Sequence, residues 1–528
     1  MRNLFKIFTI SGILLVFISS CKKDSLNLRP TNDLVADQVY ATPAGYKSEL
    51  AKLYASYALT HPTGATGESD IGGLNPGFTD FLRLFWMSQE LPTDEAICGW
   101  NDTGIPDMNQ MTWTADNMFI RGLYSRSIYQ ITVCNDFLRE STPEKLAGRK
   151  ITGQDAMDIQ RYRAEARFLR AFQYWVLLDG YGNPPFVTEN DQIGKIAPKQ
   201  IQRADLFKYV ESELKAIEGE LAEPMANEYG RADKGADWSL LARLYLNAEV
   251  YTGTARYTDA ITYSSKVIKG GYSLSADYKN LFLTDNRITS KENILTINYD
   301  GLHTQNDGGT TYLINAAING DMNPASFGVP TGGWGGNRSR INLPKLFADY
   351  SGATDKRALF FGTKLENDDV NTFTDGLRVV KFKNIDSKNV AAPSIEGKFS
   401  SLDFALFRLA EQYLIYAEAV TRGGSGGTAD QALAYVNNLR QRAYGDASGN
   451  VSALTVDFFL DERGRELYWE GFRRTDLIRY NKFSSASYLW PFKGGVKAGA
   501  GVDATRNLYP LPTADMIANT NLVQNKGY

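Results

Sequence analysis

The sequence predicts a mainly α-helical fold in which helices pack in pairs, with long loops between them and a few short strands. Three segments, at 163–182, 240–253 and 406–420, place apolar residues at helical spacing. Small alanines stand beside large aromatic residues in these segments, which is typical of closely packed helix pairs. With 528 residues, of which 43 % are hydrophobic and 22 % charged, the chain can bury a sizeable core.

The helical segments follow one another along the chain. In the first, Phe168, Ala171, Phe172 and Trp175 fall at i, i+3, i+4 and i+7, and the glycines and prolines at 180–185 should end the helix. The other two segments repeat this spacing, and the GGSGG run at 423–427 should end the third. Their periodic residues are Leu241, Leu244, Tyr245 and Ala248 in the second segment, and Leu406, Leu409, Ala410, Tyr413, Leu414 and Ala417 in the third.

Strands and loops make up the rest of the prediction. Short β-branched runs at 292–299 and 377–384 predict strands, and the segments 301–340 and 484–508 are rich in loop-forming residues. Long loops in compact proteins often carry function. Helices that bury a face only against a neighbour are organised like tetratricopeptide arrays, although no clean period of about 34 residues runs through the chain.

The N-terminus predicts a bacterial lipoprotein signal. Arg2 and Lys6 precede an apolar run at 7–18. This run is too short to cross a bilayer as a helix but is typical of a signal peptide. The following ISSC resembles a lipobox, in which Cys21 would receive the lipid. The alternative is an ordinary secretory signal with a chance cysteine near the cleavage site. The predicted boundaries are 1–20 for the signal peptide, 21–28 for a lipidated tether and 29–528 for the globular domain.

Composition excludes several classes of function. Lys and Arg total 57 against 60 Asp and Glu, without an obvious basic cluster, so nucleic acid is not an expected partner. The two histidines, His61 and His303, and the three cysteines form no zinc or haem motif. We therefore predict no metal and no cofactor. The sequence leaves open whether Cys98 and Cys134 form a disulfide.

Several segments in a fixed order carry a resemblance to a known family. They are RAEARFLRAFQYWVLLDGYGNPPFVTE at 163–189, YGRADKGADWSLLARLYLNAEVYTG at 229–253, the helical segments within 407–443, and DERGRELYWEGFRRTDLIRYNKF at 461–483, followed by YPLP at 509–512 and a terminal QNKGY. Behind a lipobox, this arrangement resembles the SusD/RagB family of outer-membrane nutrient-binding lipoproteins. The resemblance covers nearly the whole mature chain.

The resemblance implies a fold and a partner. The fold would be a superhelix of about four tetratricopeptide-like helix pairs that carries a loop-rich ligand-binding region, with insertions around 61–112 and 300–400. The protein would be a non-catalytic lid on a SusC-like TonB-dependent barrel. It would be held at the cell surface, on the outer membrane, through Cys21.

The closest resemblance is to the starch-binding members of the family. It is carried by ELPTDEAICGW at 90–100, GRADK at 230–234 and LWPFKGG at 489–495. It implies that Trp100 and Trp334 belong to an aromatic arc that binds α-glucan and that Arg83 is a polar contact. Two rings of the family pattern are missing, because this chain has Asp307 and Cys98 at those positions. Tyr312 is the candidate replacement ring.

The residue types at these positions suit sugar binding. A pyranose presents an apolar C–H face, which stacks on an aromatic ring, and a rim of hydroxyls, which needs polar side chains. Trp100 is followed by Asn101, Asp102 and Thr103, and Trp334 lies between glycines. Five other tryptophans are predicted to belong to the core, namely Trp86, Trp113, Trp175, Trp238 and Trp469.

Two other functions are compatible with the sequence. The carboxylates of DERGRELYWEG could indicate a glycoside hydrolase. However, Glu462, Glu466 and Glu470 alternate with arginines at i+3 and i+4, which favours an ion-pair lattice along one helix. Arg170, Glu165, Glu411 and Glu418 are likewise expected to pair between helices. A second alternative keeps the lid role but assigns another glycan or nutrient.

Overall fold

The structure is a computed structural model that describes residues 36–61, 69–192, 194 and 196–528. Cys21, the signal peptide and the tether lie outside the described residues. The α-helices are α1 Ala36–Val39, α2 Pro43–Ala55, α3 Phe81–Glu90, α4 Ile105–Gln110, α5 Met118–Glu140, α6 Pro143–Gly148, α7 Gly153–Gly180, α8 Arg203–Ile217, α9 Lys234–Leu246, α10 Ala248–Thr252, α11 Tyr257–Ile268, α12 Asn286–Thr289, α13 Gly309–Asn315, α14 Leu409–Thr421, α15 Ala429–Tyr444, α16 Val456–Leu467, α17 Arg473–Arg479 and α18 Thr513–Ala518. The strands are β1 Ala96–Cys98, β2 Asn293–Ile297, β3 Asn337–Ser339, β4 Phe360–Phe361, β5 Arg378–Val379 and β6 Phe404–Arg408.

The long helices pack in series. Helix α5 contacts α7, α7 contacts α8, α8 contacts α9, and the series continues through α11, α14 and α15. Each helix therefore buries its apolar face against its neighbours, as in helical-repeat proteins. The predicted mainly α-helical fold with few short strands is confirmed.

The predicted helices differ from the observed ones in two places. The first predicted helix does end at Gly180, as expected. The second is interrupted at Asn247, whose backbone leaves the helical region and separates α9 from α10. The third begins only at Leu409, because Leu406 lies in β6 and β6 pairs with β2. Leu406 lies three residues before Leu409, so it matches the helical spacing although it belongs to a buried strand that leads directly into the helix.

The strands form three two-stranded antiparallel sheets, β1–β3, β2–β6 and β4–β5. The predicted strand at 292–299 is confirmed as β2. Of the predicted strand at 377–384, only Arg378–Val379 is a strand. The β1–β3 sheet joins two segments more than two hundred residues apart, since Cys98 pairs with Asn337.

The predicted core tryptophans are buried, except that Trp238 is only half-buried on α9. Cys98 and Cys134 are both buried and do not form a disulfide with each other. No helix among the described residues is long and apolar enough to span a membrane.

A buried ion-pair network joins the C-terminal elements. Glu466 on α16 binds Arg408 of β6 at 2.7 Å, Arg357 at 3.3 Å, and Arg442 of α15. Glu462 binds Arg357 at 2.8 Å. All of these side chains are almost completely shielded from solvent. Although burial alone would raise the pKa values of the two glutamates, the surrounding guanidinium groups lower the pKa of Glu462 and of Glu466 to about 2.

The structural role predicted for these carboxylates is right, but the predicted partners are wrong. Of the ion pairs expected along one helix, only the pair between Arg465 and Glu462 forms. Helix α16 ends at Leu467, so Glu470 lies beyond the helix. Glu470 instead binds Arg408 at 2.6 Å and Lys381 at 2.6 Å. The predicted pairs between elements do form: Arg170 binds Glu213, Arg231 binds Glu165, Arg243 binds Glu411, and Arg479 binds Glu418.

A second set of buried carboxylates clamps the loop at 468–472. Glu90 accepts the backbone N–H groups of Gly471 at 2.7 Å and Phe472 at 3.2 Å, and Glu95 accepts that of Trp469 at 3.1 Å. Burial, followed by the mutual repulsion of the two carboxylates, raises the pKa of Glu90 well above its usual range. Burial also raises the pKa of Glu95, to about 7.

Replacing Glu466 by Gln should lower the free energy of unfolding by about 3–5 kcal/mol, because the buried arginines lose a shared counter-charge. Denaturant unfolding measures the difference. The matched control is Glu228→Gln, which weakens the exposed pairs of Glu228 with Lys47 and Arg231 and should leave the stability almost unchanged. Equal effects of the two substitutions would contradict the importance of the network.

The Glu95 carboxyl should make stability depend on pH. Its folded pKa of about 7 lies above the ordinary value of 4.5, so its contribution is fully present below pH 4.5 and is lost as the pH rises through 7. Glu95→Gln mimics the protonated carboxyl and should remove on the order of 2–3 kcal/mol of the decrease in stability between pH 5 and pH 8. The control is again Glu228→Gln. A pH profile that is unchanged by Glu95→Gln would show that Glu95 does not titrate in this range.

Candidate functional site

The β1–β3 pairing brings Trp100 and Trp334 together. Trp100 follows β1 and Trp334 precedes β3, and the ladder continues from Cys98–Asn337 to the Gly99 N–H, which donates to the Gly336 carbonyl at 2.9 Å. The two ring centroids are 6.4 Å apart, with the ring planes inclined at 48°. Both rings are half-buried and rest on the core.

The glycines around Trp334 permit this approach. Gly336 has a φ of +106°, and a Cβ atom there would lie 2.3 Å from Nε1 of Trp100. The Trp334 N–H donates to the carbonyl of Asn315 at 2.7 Å, which fixes the loop to the end of α13. Only glycine therefore allows the loop to pass beneath Trp100.

A series of rings connects the site to the protein interior. Trp100 contacts Tyr312 edge to face at 6.0 Å, Tyr312 contacts Trp86 at 5.6 Å, and Trp86 contacts Trp469 at 5.0 Å. Nε1 of Trp86 donates to the Trp469 carbonyl at 3.1 Å. Edge-to-face packing of this kind holds rings in fixed orientations.

Tyr312 does not provide the replacement ring that the sequence suggested. Its side chain is completely buried, and its hydroxyl lies 3.3 Å from Oδ1 of Asn337. Helix α13 points this ring inward, beneath Trp100, so a ligand cannot stack on it. Arg83 is also buried, with its guanidinium 4.4 Å from the Tyr312 ring centroid and 5.6 Å from that of Trp100. Both residues support Trp100 from below.

Polar groups surround the two rings. Asn101, Asp102 and Thr103 are exposed beside Trp100. Next to Trp334, Asp307 binds Lys398 at 2.5 Å, and the Lys398 ammonium is 6.0 Å from the Trp334 ring centroid. An ion pair therefore stands where the resemblance led us to expect an aromatic ring.

Sequence reasoning missed a groove that is lined in part by Trp100. It has a volume of about 290 Å³ and includes Gln110, Asn371 and Phe492 among its lining residues. These three come from distant parts of the chain and belong to no common motif. Among the described residues, no cluster of His, Cys, Asp and Glu side chains could hold a metal ion.

Comparisons with known proteins agree with this architecture. The sequence profile of the SusD family matches residues 354–528. The SusD-like protein P2 of Formosa agariphila is 24 % identical over 80 % of this chain and 83 % of its own length. Among solved structures, the surface glycan-binding protein A of Bacteroides thetaiotaomicron in complex with laminarihexaose has a TM-score of 0.68 at 22 % identity, covering 91 % of this chain and 99 % of that one.

One relative is more similar in sequence. The starch-binding protein SusD of Bacteroides thetaiotaomicron is 35 % identical to this chain, and the match covers 91 % of each of the two chains. The chain therefore belongs to the SusD family.

Proposed function

We propose that this protein is a cell-surface glycan-binding lipoprotein that captures oligosaccharides on Trp100 and Trp334. The observation that carries the proposal is the geometry of these two half-buried rings, whose centroids are 6.4 Å apart and whose planes are inclined at 48°. Two rings set at an angle suit consecutive sugars of a curved chain, which is the shape of an α-glucan. The relative named as starch-binding supports starch or a related α-glucan as the ligand.

The proposed protein works as a lid on a SusC-like TonB-dependent barrel. It is attached to the outer membrane through the lipid on Cys21, and the tether at 21–28 precedes the folded domain. Such a lid must release its cargo, so weak contacts at a small site are suitable. A polymer that touches many copies gains avidity without a tight individual site.

One observation favours a different cargo for the same role. The Asp307–Lys398 pair beside Trp334 offers a carboxylate and an ammonium where the family pattern has a ring. Such a pair can hydrogen-bond to adjacent hydroxyls but cannot stack on a sugar face. A glycan other than starch is therefore the second candidate.

An enzymatic function has less support. Glu462 and Glu466 are buried and have pKa values of about 2, so they would stay ionised and could not act as a general acid near neutral pH. They are also enclosed by arginines in the interior of the protein. We propose that the protein does not cleave its ligand.

Trp100→Ala should abolish retardation in native gels cast with amylopectin or pullulan, because the stacking surface is lost. The experiment compares these gels with gels containing dextran, β-glucan, xylan, levan or mucin glycans. Trp238→Ala is the matched control, since Trp238 is also half-buried but lies on α9. Retardation that survives Trp100→Ala would contradict the site, and retardation by another polymer alone would reassign the cargo.

Incubation of the wild-type protein with each retarding polymer should release no reducing sugar. The measurement is a reducing-end assay over several hours, with a known amylase as the positive control. Release of reducing ends that disappears in a variant of this chain would show a glycoside hydrolase instead.

A further inference from the structure

We propose that the groove between Trp100 and Phe492 is an additional subsite that binds the continuation of a neutral glycan chain. The inference rests on the proposed function, since Trp100 belongs to both the ring pair and the groove. The groove volume of about 290 Å³ is just below the range of roughly 300–1,000 Å³ for small-molecule sites. That size suits a short extension of the ligand rather than a separate cargo.

Four segments of the chain form the walls of the groove. Trp100 and Asn101 lie at the exit of β1, Gln110 ends α4, and Asn371 belongs to the loop at 366–375. The opposite wall is Phe492. The groove therefore combines aromatic side chains with amides, as sugar-binding sites require.

The three amides in the groove are free to bind a ligand. The side chains of Asn101, Gln110 and Asn371 form no hydrogen bond with any residue in the described part of the chain. Each amide offers two donors and one acceptor carbonyl. Such a group can engage neighbouring sugar hydroxyls, which themselves donate and accept.

The other polar groups of the groove are already occupied. Asn109 exchanges two hydrogen bonds with the backbone of Cys98, at 3.1 and 2.7 Å. Asp369 accepts from the Asn371 N–H at 3.0 Å and from the Thr372 hydroxyl at 2.9 Å. The unoccupied hydrogen-bonding capacity of the side chains is therefore concentrated in the three amides.

The charges of the groove favour neutral sugars. Two carboxylates, Asp368 and Asp369, line it, whereas Lys and Arg are absent from its lining. Asp368 is shared between Lys497 at 3.0 Å and Lys364 at 3.1 Å, and the pair with Lys497 links the loop at 366–375 to the chain after Phe492. An acidic sugar would meet carboxylates without a free cation to pair with.

Phe492 adopts a backbone conformation that is unusual for a bulky residue. Its φ is +67° and its ψ is 4°, in the left-handed region. A side chain retained in a strained conformation at the edge of a groove is a common sign of a functional contact. We assign the Phe492 ring as the stacking surface of the additional subsite.

The test measures the affinity of the chain without residues 1–21 for maltotriose and maltoheptaose by titration calorimetry. The double variant Gln110→Ala/Asn371→Ala should bind maltoheptaose roughly tenfold more weakly and maltotriose within about twofold of wild type. Phe492→Gly should show the same dependence on length without loss of thermal stability, since glycine accepts the left-handed backbone. Gln431→Ala, on the exposed face of α15, is the control.

The outcomes separate the two proposals. Equal affinity of wild type and double variant for maltoheptaose, or an equal loss for both lengths, would overturn the additional subsite but leave the ring pair intact. If the wild-type protein binds no maltoheptaose, the same comparison is made with laminaritriose and laminarihexaose. Absence of binding to the oligosaccharides of both series would overturn both proposals. Binding of an oligogalacturonide of matching length in the groove would overturn its selectivity for neutral sugars.

Discussion

Buried charge is the constraint on which the rest of this structure depends. Glu466 lies in the interior with guanidinium groups from β6, α15 and the loop that contains Arg357. An ion in such surroundings is tolerated only while every partner is in place, because an unpaired buried charge costs several kcal/mol. Elements that are far apart in the chain must therefore meet in one geometry. The network need not add net stability to impose this requirement.

The same constraint reaches the candidate site through the loop at 468–472. Glu470 ties this loop to the network, while Glu90 and Glu95 hold its backbone N–H groups from the other side. Trp469 begins the series of rings that ends at Trp100. The half-buried Trp100 ring is thus held by the packed interior, and a site that is held in advance loses less entropy when it binds.

The sequence predicted those features that depend on residues close together in the chain. Helical spacing identified the long helices, and it failed at Leu406 because a buried strand runs directly into α14. Local spacing also suggested the wrong partners for Glu466, whose arginines come from other elements. Tyr312 illustrates the same limit, since it does lie against Trp100 but only the path of α13 shows that it points inward.

The ring pair and the groove likewise differ in how well the sequence alone predicts them. Trp100 and Trp334 are recognisable because each lies in a short segment with its own pattern, and a single register, Cys98 with Asn337, joins them. The groove draws its side chains from four separate parts of the chain, so no single local pattern indicates that they meet. A ring pair can stack on many pyranoses, whereas amides and ion pairs respond to the arrangement of hydroxyls. Differences in cargo between proteins that share the ring pair should therefore arise in these loops and not in the helical scaffold.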